Sequence, residues 1–88
     1  MIARMWEVRC RPDTVEALLR WLVDTALPGV RDRAGHVRDD LYRSDERVVV
    51  VSVWDGTPVP LPEPPGELVA RPPHAWDFTT VDRPGDTA

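Results

Sequence analysis

Lysine, asparagine and glutamine are absent from this 88-residue sequence, and cysteine occurs once. All basic side chains other than its two histidines are arginine, so any mechanism needing a lysine amine or an asparagine amide within this chain is excluded. A single cysteine, Cys10, rules out an internal disulfide and any site built from several thiolates. On a strand, such a thiol reads as a small buried hydrophobe. No window is long and apolar enough for a membrane span. The net charge of −4 argues against nucleic acid, whose phosphates need a clustered positive surface. Met1-Ile2-Ala3-Arg4 leads straight into patterned sequence, with no signal-peptide layout. The expected setting is therefore cytoplasmic, without membrane or nucleic-acid partners.

Against these absences stands a concentration of β-branched residues. Arg47 to Gly56 reads RVVVVSVWDG, bounded by Ser44-Asp45-Glu46 and by Asp55-Gly56-Thr57-Pro58. The run is too short for a helix of its own and reads as a strand. Alternation sends Val48, Val50 and Trp54 one way and Val49, Val51 and Val53 the other. A strand apolar on both faces belongs in the middle of a sheet covered on both sides. A chain of this length with one good helix covers one face. A second body must cover the other.

The remaining elements follow in order. Ile2 to Arg11 alternates as a strand, with Ile2, Trp6, Val8 and Cys10 on one face and the more polar Met5, Glu7, Arg9 and Arg11 on the other. After Pro12, Asp13 suits a helix N-cap and Glu16 its capping box. Val15, Leu18, Leu19, Leu22, Val23, Ala26 and Leu27 then make an apolar helical stripe, which Pro28-Gly29 is expected to end. Residues 28–35 form a connection closed by Gly35. His36 to Arg43 is a polar strand with Val37 and Leu41 on one parity and His36, Arg38, Asp40 and Tyr42 on the other. The short link 44–46 makes an antiparallel hairpin with the valine strand.

Seven prolines between Thr57 and Pro73 forbid a regular long element there. Only 66–71 has room for a turn or two of helix, so 56–73 is read as a proline-rich lid or loop. Trp76 to Val81 makes a last strand, and the polar tail 84–88 is expected to be frayed. The whole is one domain over residues 1–83, of class α+β. Its antiparallel sheet takes a ferredoxin-like split β-α-β order with the second helix stunted.

Pro12-Asp13 at the helix start, Gly35-His36 opening the second strand, and a valine-rich third strand ending in Trp54-Asp55 together resemble the antibiotic biosynthesis monooxygenase family. The likeness runs over about residues 2–82. It implies a dimeric α+β barrel, a homodimer whose sheets pack face to face over Val49, Val51 and Val53. Trp54 matches a tryptophan that quinone-forming and haem-degrading members commonly use. Their first-strand asparagine falls at Trp6 here. The second-helix histidine that binds iron in haem-degrading members is replaced by proline-rich sequence, with His74 the only histidine nearby. These departures argue against haem degradation. Two functions stay open, neither needing a cofactor: a cofactor-free monooxygenase acting on a small aromatic or polyketide-like molecule, and a non-catalytic binding or accessory dimer.

Four tryptophans in so short a chain are most plainly core material. The functional reading is a pocket between helix and sheet lined by Trp6 and Trp54, with Trp76 as a further ligand contact. Such a pocket suits a flat aromatic ligand. Arg4 shares the parity of Trp6, where it would hold a ligand carboxylate or phenolate, or pair with Asp39 or Asp77. His36 is the candidate general base, because imidazole changes charge near neutrality. With Trp54 it makes the expected catalytic pair. His36, Asp39 and Asp40 lack metal-ligand spacing, so no metal is expected.

Overall fold

A computed structural model describes residues 1–83; the tail 84–88 lies outside the described residues. Strands β1 (Ile2–Arg9), β2 (His36–Arg43), β3 (Arg47–Trp54) and β4 (His74–Thr79) form one sheet in the order β2-β3-β1-β4. Every neighbouring pair is antiparallel. This α+β arrangement, with one helical arm on the sheet, is compatible with a ferredoxin-like fold. The two strands richest in apolar residues, β1 and β3, take the centre, as their patterning requires.

The core lies between the arm and one face of the sheet. Val8, Val48, Val50 and Trp54 from the strands meet Val15, Leu18, Leu22 and Leu27 from the arm, all at most 1% exposed. Each such aliphatic side chain contributes about 1.5–3 kcal/mol on leaving water, which makes this layer the main source of stability. The predicted alternation of β3 holds: Val48, Val50 and Trp54 are buried, whereas Val49, Val51 and Val53 face away and are only half-buried.

The arm departs from expectation at both ends. Thr14, not Asp13, holds the N-cap position, with no side-chain cap. Its hydroxyl instead accepts the Arg11 N–H at 3.1 Å and donates to the Leu68 carbonyl at 2.9 Å, while Glu16 pairs with Arg43. Nor does Pro28-Gly29 stop the helix. Helix α1 (Val15–Trp21) passes into a π-helical segment (Leu22–Ala26) and continues as α2 (Leu27–Arg31). A proline inside a regular α-helix strands the carbonyl four residues earlier and presses its ring against it. The wider π turn, with Leu27 N–H donating to the Leu22 carbonyl, resets the ladder just before Pro28. The proline then falls in the first turn of α2, where a missing N–H costs little. Burial of Leu27 and Val30, together about 3–6 kcal/mol, outweighs the roughly 1 kcal/mol that Gly29 costs a helix. Val23, counted in the predicted stripe, is 51% exposed; it stands one residue, about 100°, round the helix from the buried Leu22.

A second departure shapes the site. Pairing with β3 runs His36 to Trp54 and then Arg38 to Val53, leaving Val37 as a bulge. One extra residue reverses parity. His36 therefore joins Asp39 and Leu41 on the side of the arm, while Arg38, Asp40 and Tyr42 face away. Gly35, at φ +88°, turns the chain into the strand, and its carbonyl accepts the Asp55 N–H at 2.7 Å. After β3, the proline-rich stretch contains a single 3-10 turn (Gly66–Leu68), fastened by the Ala70 N–H to the Arg9 carbonyl at 2.7 Å. Among the described residues no helix is long and apolar enough to cross a membrane.

These two glycines respond oppositely to alanine. A Cβ at Gly35 would stand 2.5 Å from the Asp55 carbonyl oxygen at a positive φ, whereas one at Gly29 meets nothing within 4 Å. Gly35→Ala is expected to lower unfolding free energy by about 2 kcal/mol or more. Gly29→Ala should raise it by about 0.5–1 kcal/mol. Urea unfolding of both variants checks the pair, and equal effects would contradict the geometry.

Candidate functional site

The polar end of the helix-facing sheet is a register row. Asp39 on β2 lies opposite Ser52 on β3, Ser52 opposite Arg4 on β1, and Arg4 opposite Asp77 on β4. The next row is apolar: Leu41, Val50, Trp6 and Ala75. Above the two rows lies a cavity of about 170 Å3. Trp6, Val50 and Trp54 supply its apolar floor, Leu27 and Val30 its helical wall, and Val59, Leu61 and Glu63 of the proline-rich stretch its roof. An apolar cavity of about 150 Å3 accepts a benzene-sized molecule. A single ring therefore fits.

The side chains around it are held firmly. The Trp54 indole N–H donates to Ser52 Oγ at 2.9 Å. His36 stands edge-on to Trp54, with ring centres 5.2 Å apart at 85°. Its Nε2 lies within hydrogen-bond distance of Asp39 Oδ2, at 3.1 Å. Arg31, from the helical extension past Pro28, donates Nε to Asp39 Oδ2 at 3.2 Å and a terminal nitrogen to Oδ1 at 3.1 Å. The Asp39 side chain is 2% exposed, and a carboxylate so removed from water needs such donors. Hydrogen bonding to Asp39 also raises the Arg31 guanidinium above its ordinary value. Among the described residues no buried side-chain polar atom lacks a partner, and no three metal-ligating side chains converge.

Arg4 forks onto Asp77 at 2.7 and 3.0 Å, one of the two pairings expected for it. The hydrogen bond from Arg4, with its charge, holds the Asp77 carboxyl below its ordinary value against a smaller desolvation effect, and the same bond raises Arg4.

Of the residues singled out in the sequence, Arg4, Trp6 and Trp54 come together around the cavity. His36 lies behind them, reaching the cavity through Asp39 and Trp54 rather than lining it. Trp76 is not in the site. It pairs with Met5, and paired residues share a face, so its indole lies on the opposite side of the sheet, 46% exposed. Asp39 keeps the parity of Leu41, so its place in the wall follows from regular alternation; the Val37 bulge, which brings His36 to the same side, has no signature in the residue types. Val59 and Leu61, alternating with prolines, were the one available sign that this stretch has an inward face.

Set against protein-family models, curated proteins and solved structures, the chain matches none of them.

The Arg4–Asp77 pair gives a signed pH dependence. A depressed folded-state carboxyl contributes stability above its ordinary value of 3.8 and loses it as pH falls through the lower folded value. Asp77 is 42% exposed, so the contribution is at most about 1 kcal/mol. Acidification from neutral pH to well below that range should cost the native protein more than Arg4→Met, by up to that amount. Urea midpoints at both pH values measure it, and identical losses would contradict the pairing.

Proposed function

We propose that this chain is a small-molecule-binding protein resembling the antibiotic biosynthesis monooxygenase family. In this reading its helix–sheet cavity takes a single-ring aromatic compound, and it works as a homodimer in a dimeric α+β barrel. The observation that carries the reading is the cavity: ring-sized, floored by two buried indoles, with a carboxylate and a guanidinium on the same register row.

The homodimer rests on the other face of the sheet. Ala3, Met5, Val51, Val53, Trp76 and Phe78 form its apolar centre, with Trp76 and Phe78 46% and 54% exposed. Around them stand Arg38, Asp40, Glu7 and His74. An apolar centre inside a polar rim is the anatomy of a protein interface, and a rim carrying both signs suits an identical copy turned by a two-fold.

A cofactor-free oxygenase of the same fold is the second reading. Its chemistry would begin with loss of a proton from an acidic aromatic substrate. O2 then takes up the electrons: the ring C–H para to the phenol oxygen becomes C=O, the phenol becomes the second C=O of a quinone, and the other oxygen of O2 leaves as water with the two hydrogens lost. The nearby His36–Asp39 pair favours this reading; His36 lying outside the cavity favours binding alone.

Titration with p-cresol, followed by NMR of the tryptophan indole N–H signals, tests the site. Trp6 and Trp54 should shift in a saturable way while Trp76 and Trp21 stay in place. Shifts confined to Trp76, or no saturable shift at Trp6 and Trp54, would overturn the assignment.

A further inference from the structure

The polar row specifies more than a ring. Resting on the binding reading above, we propose that Asp39 and Arg4 are the specificity-determining pair of the cavity, selecting a neutral aromatic molecule with a hydroxyl at one end and a carbonyl at the other. Asp39 is the donor-accepting pole. A carboxylate offers about four lone-pair sites. Three are filled, two on Oδ2 by His36 and Arg31 and one on Oδ1 by Arg31. The fourth, on Oδ1, belongs to a buried oxygen in the cavity wall. A ligand hydroxyl that donates there completes the set with a charge-assisted bond.

Arg4 is the opposite pole. Its Nε and one terminal nitrogen serve Asp77, which leaves the other terminal nitrogen with two N–H donors. Asp39 and Arg4 sit two strands apart across Ser52, or about 10 Å between backbones at ordinary strand spacing. Side chains on one face stand roughly perpendicular to the sheet, so the two poles keep about that separation, which a para-disubstituted ring with a hydrogen bond at each end bridges and an ortho one does not. Charge decides the nature of the acceptor. Asp39 is offset by Arg31 and Arg4 by Asp77, while Glu63 on the roof adds a further negative charge. A ligand carboxylate would enter a site already balanced or negative and lose its hydration. A carbonyl oxygen accepts from Arg4 without that cost. Ser52 Oγ, which already accepts the Trp54 indole N–H, has a proton to give to the same oxygen. His36 and Arg31 act through Asp39 as positioning residues.

Calorimetric titration of the whole protein with 4-hydroxyacetophenone, 4-methoxyacetophenone and 4-hydroxybenzoate, with p-cresol alongside, tests this. The hydroxy ketone should bind tightest. Losing the donor in the methoxy analogue should weaken binding on the order of tenfold or more, and the carboxylate should also bind more weakly than the ketone. Asp39→Asn, which keeps an acceptor oxygen but not the charge, should shrink the gap between hydroxy and methoxy ketones. Should that variant fail to fold, the series on the native protein decides alone. Equal affinity for hydroxy and methoxy ketones, or preference for 4-hydroxybenzoate, overturns the polar selection while p-cresol binding still upholds the cavity. Absence of binding by all four compounds overturns both.

Discussion

Most of this structure depends on a strand that is apolar on both sides. Val48, Val50 and Trp54 on one face of β3, and Val49, Val51 and Val53 on the other, oblige the sheet to be covered twice. The helical arm meets the first demand with a core exposed by no more than a few per cent. Nothing else among the described residues meets the second, and Trp76 and Phe78 extend the bare surface beyond the valines. The proposal of a second copy answers that imbalance. It also gives Trp76 a role as an interface anchor, a position where large aromatics contribute most.

The polar wall of the cavity is held by two regular elements that are each interrupted by one residue. The π turn carries the arm past Pro28, so Leu27 and Val30 reach the sheet and Arg31 reaches Asp39. The bulge at Val37 reverses parity for His36 and brings it beside Asp39, which the hairpin register already places on the arm side opposite Ser52. Neither insertion alone would gather both partners of Asp39. Together they put a guanidinium, an imidazole and a carboxylate behind a tryptophan floor. Both bulge types are often found where a side chain must be re-aimed.

How far the residues foretold this varies with the range of the interaction. Period-two alternation and the apolar stripe placed all four strands and the arm's first turns, because those patterns record which face is buried. Trp6, Trp54 and Arg4 were found by parity for the same reason. Misplacements occurred where an inserted residue shifts a period: past Pro28, where burial of Val30 overrode a local stop signal, and at Val37, where parity reversed. Asp13 and Glu16 had the residue types of a capping box, yet tertiary bonds to Leu68 and Arg43 claimed the local groups. Residue type alone does not distinguish Trp76 from the other indoles; strand register separates it from Trp6 and Trp54.

The association state tests the two-sided sheet most directly. Native mass spectrometry of the purified protein at micromolar concentration, alongside Trp76→Glu, reads it in one pair of spectra. A dimer that becomes a folded monomer on Trp76→Glu is the predicted result. A native protein that stays a monomer, with its valine face in water, would contradict the reading of β3 on which the fold and the homodimer both rest.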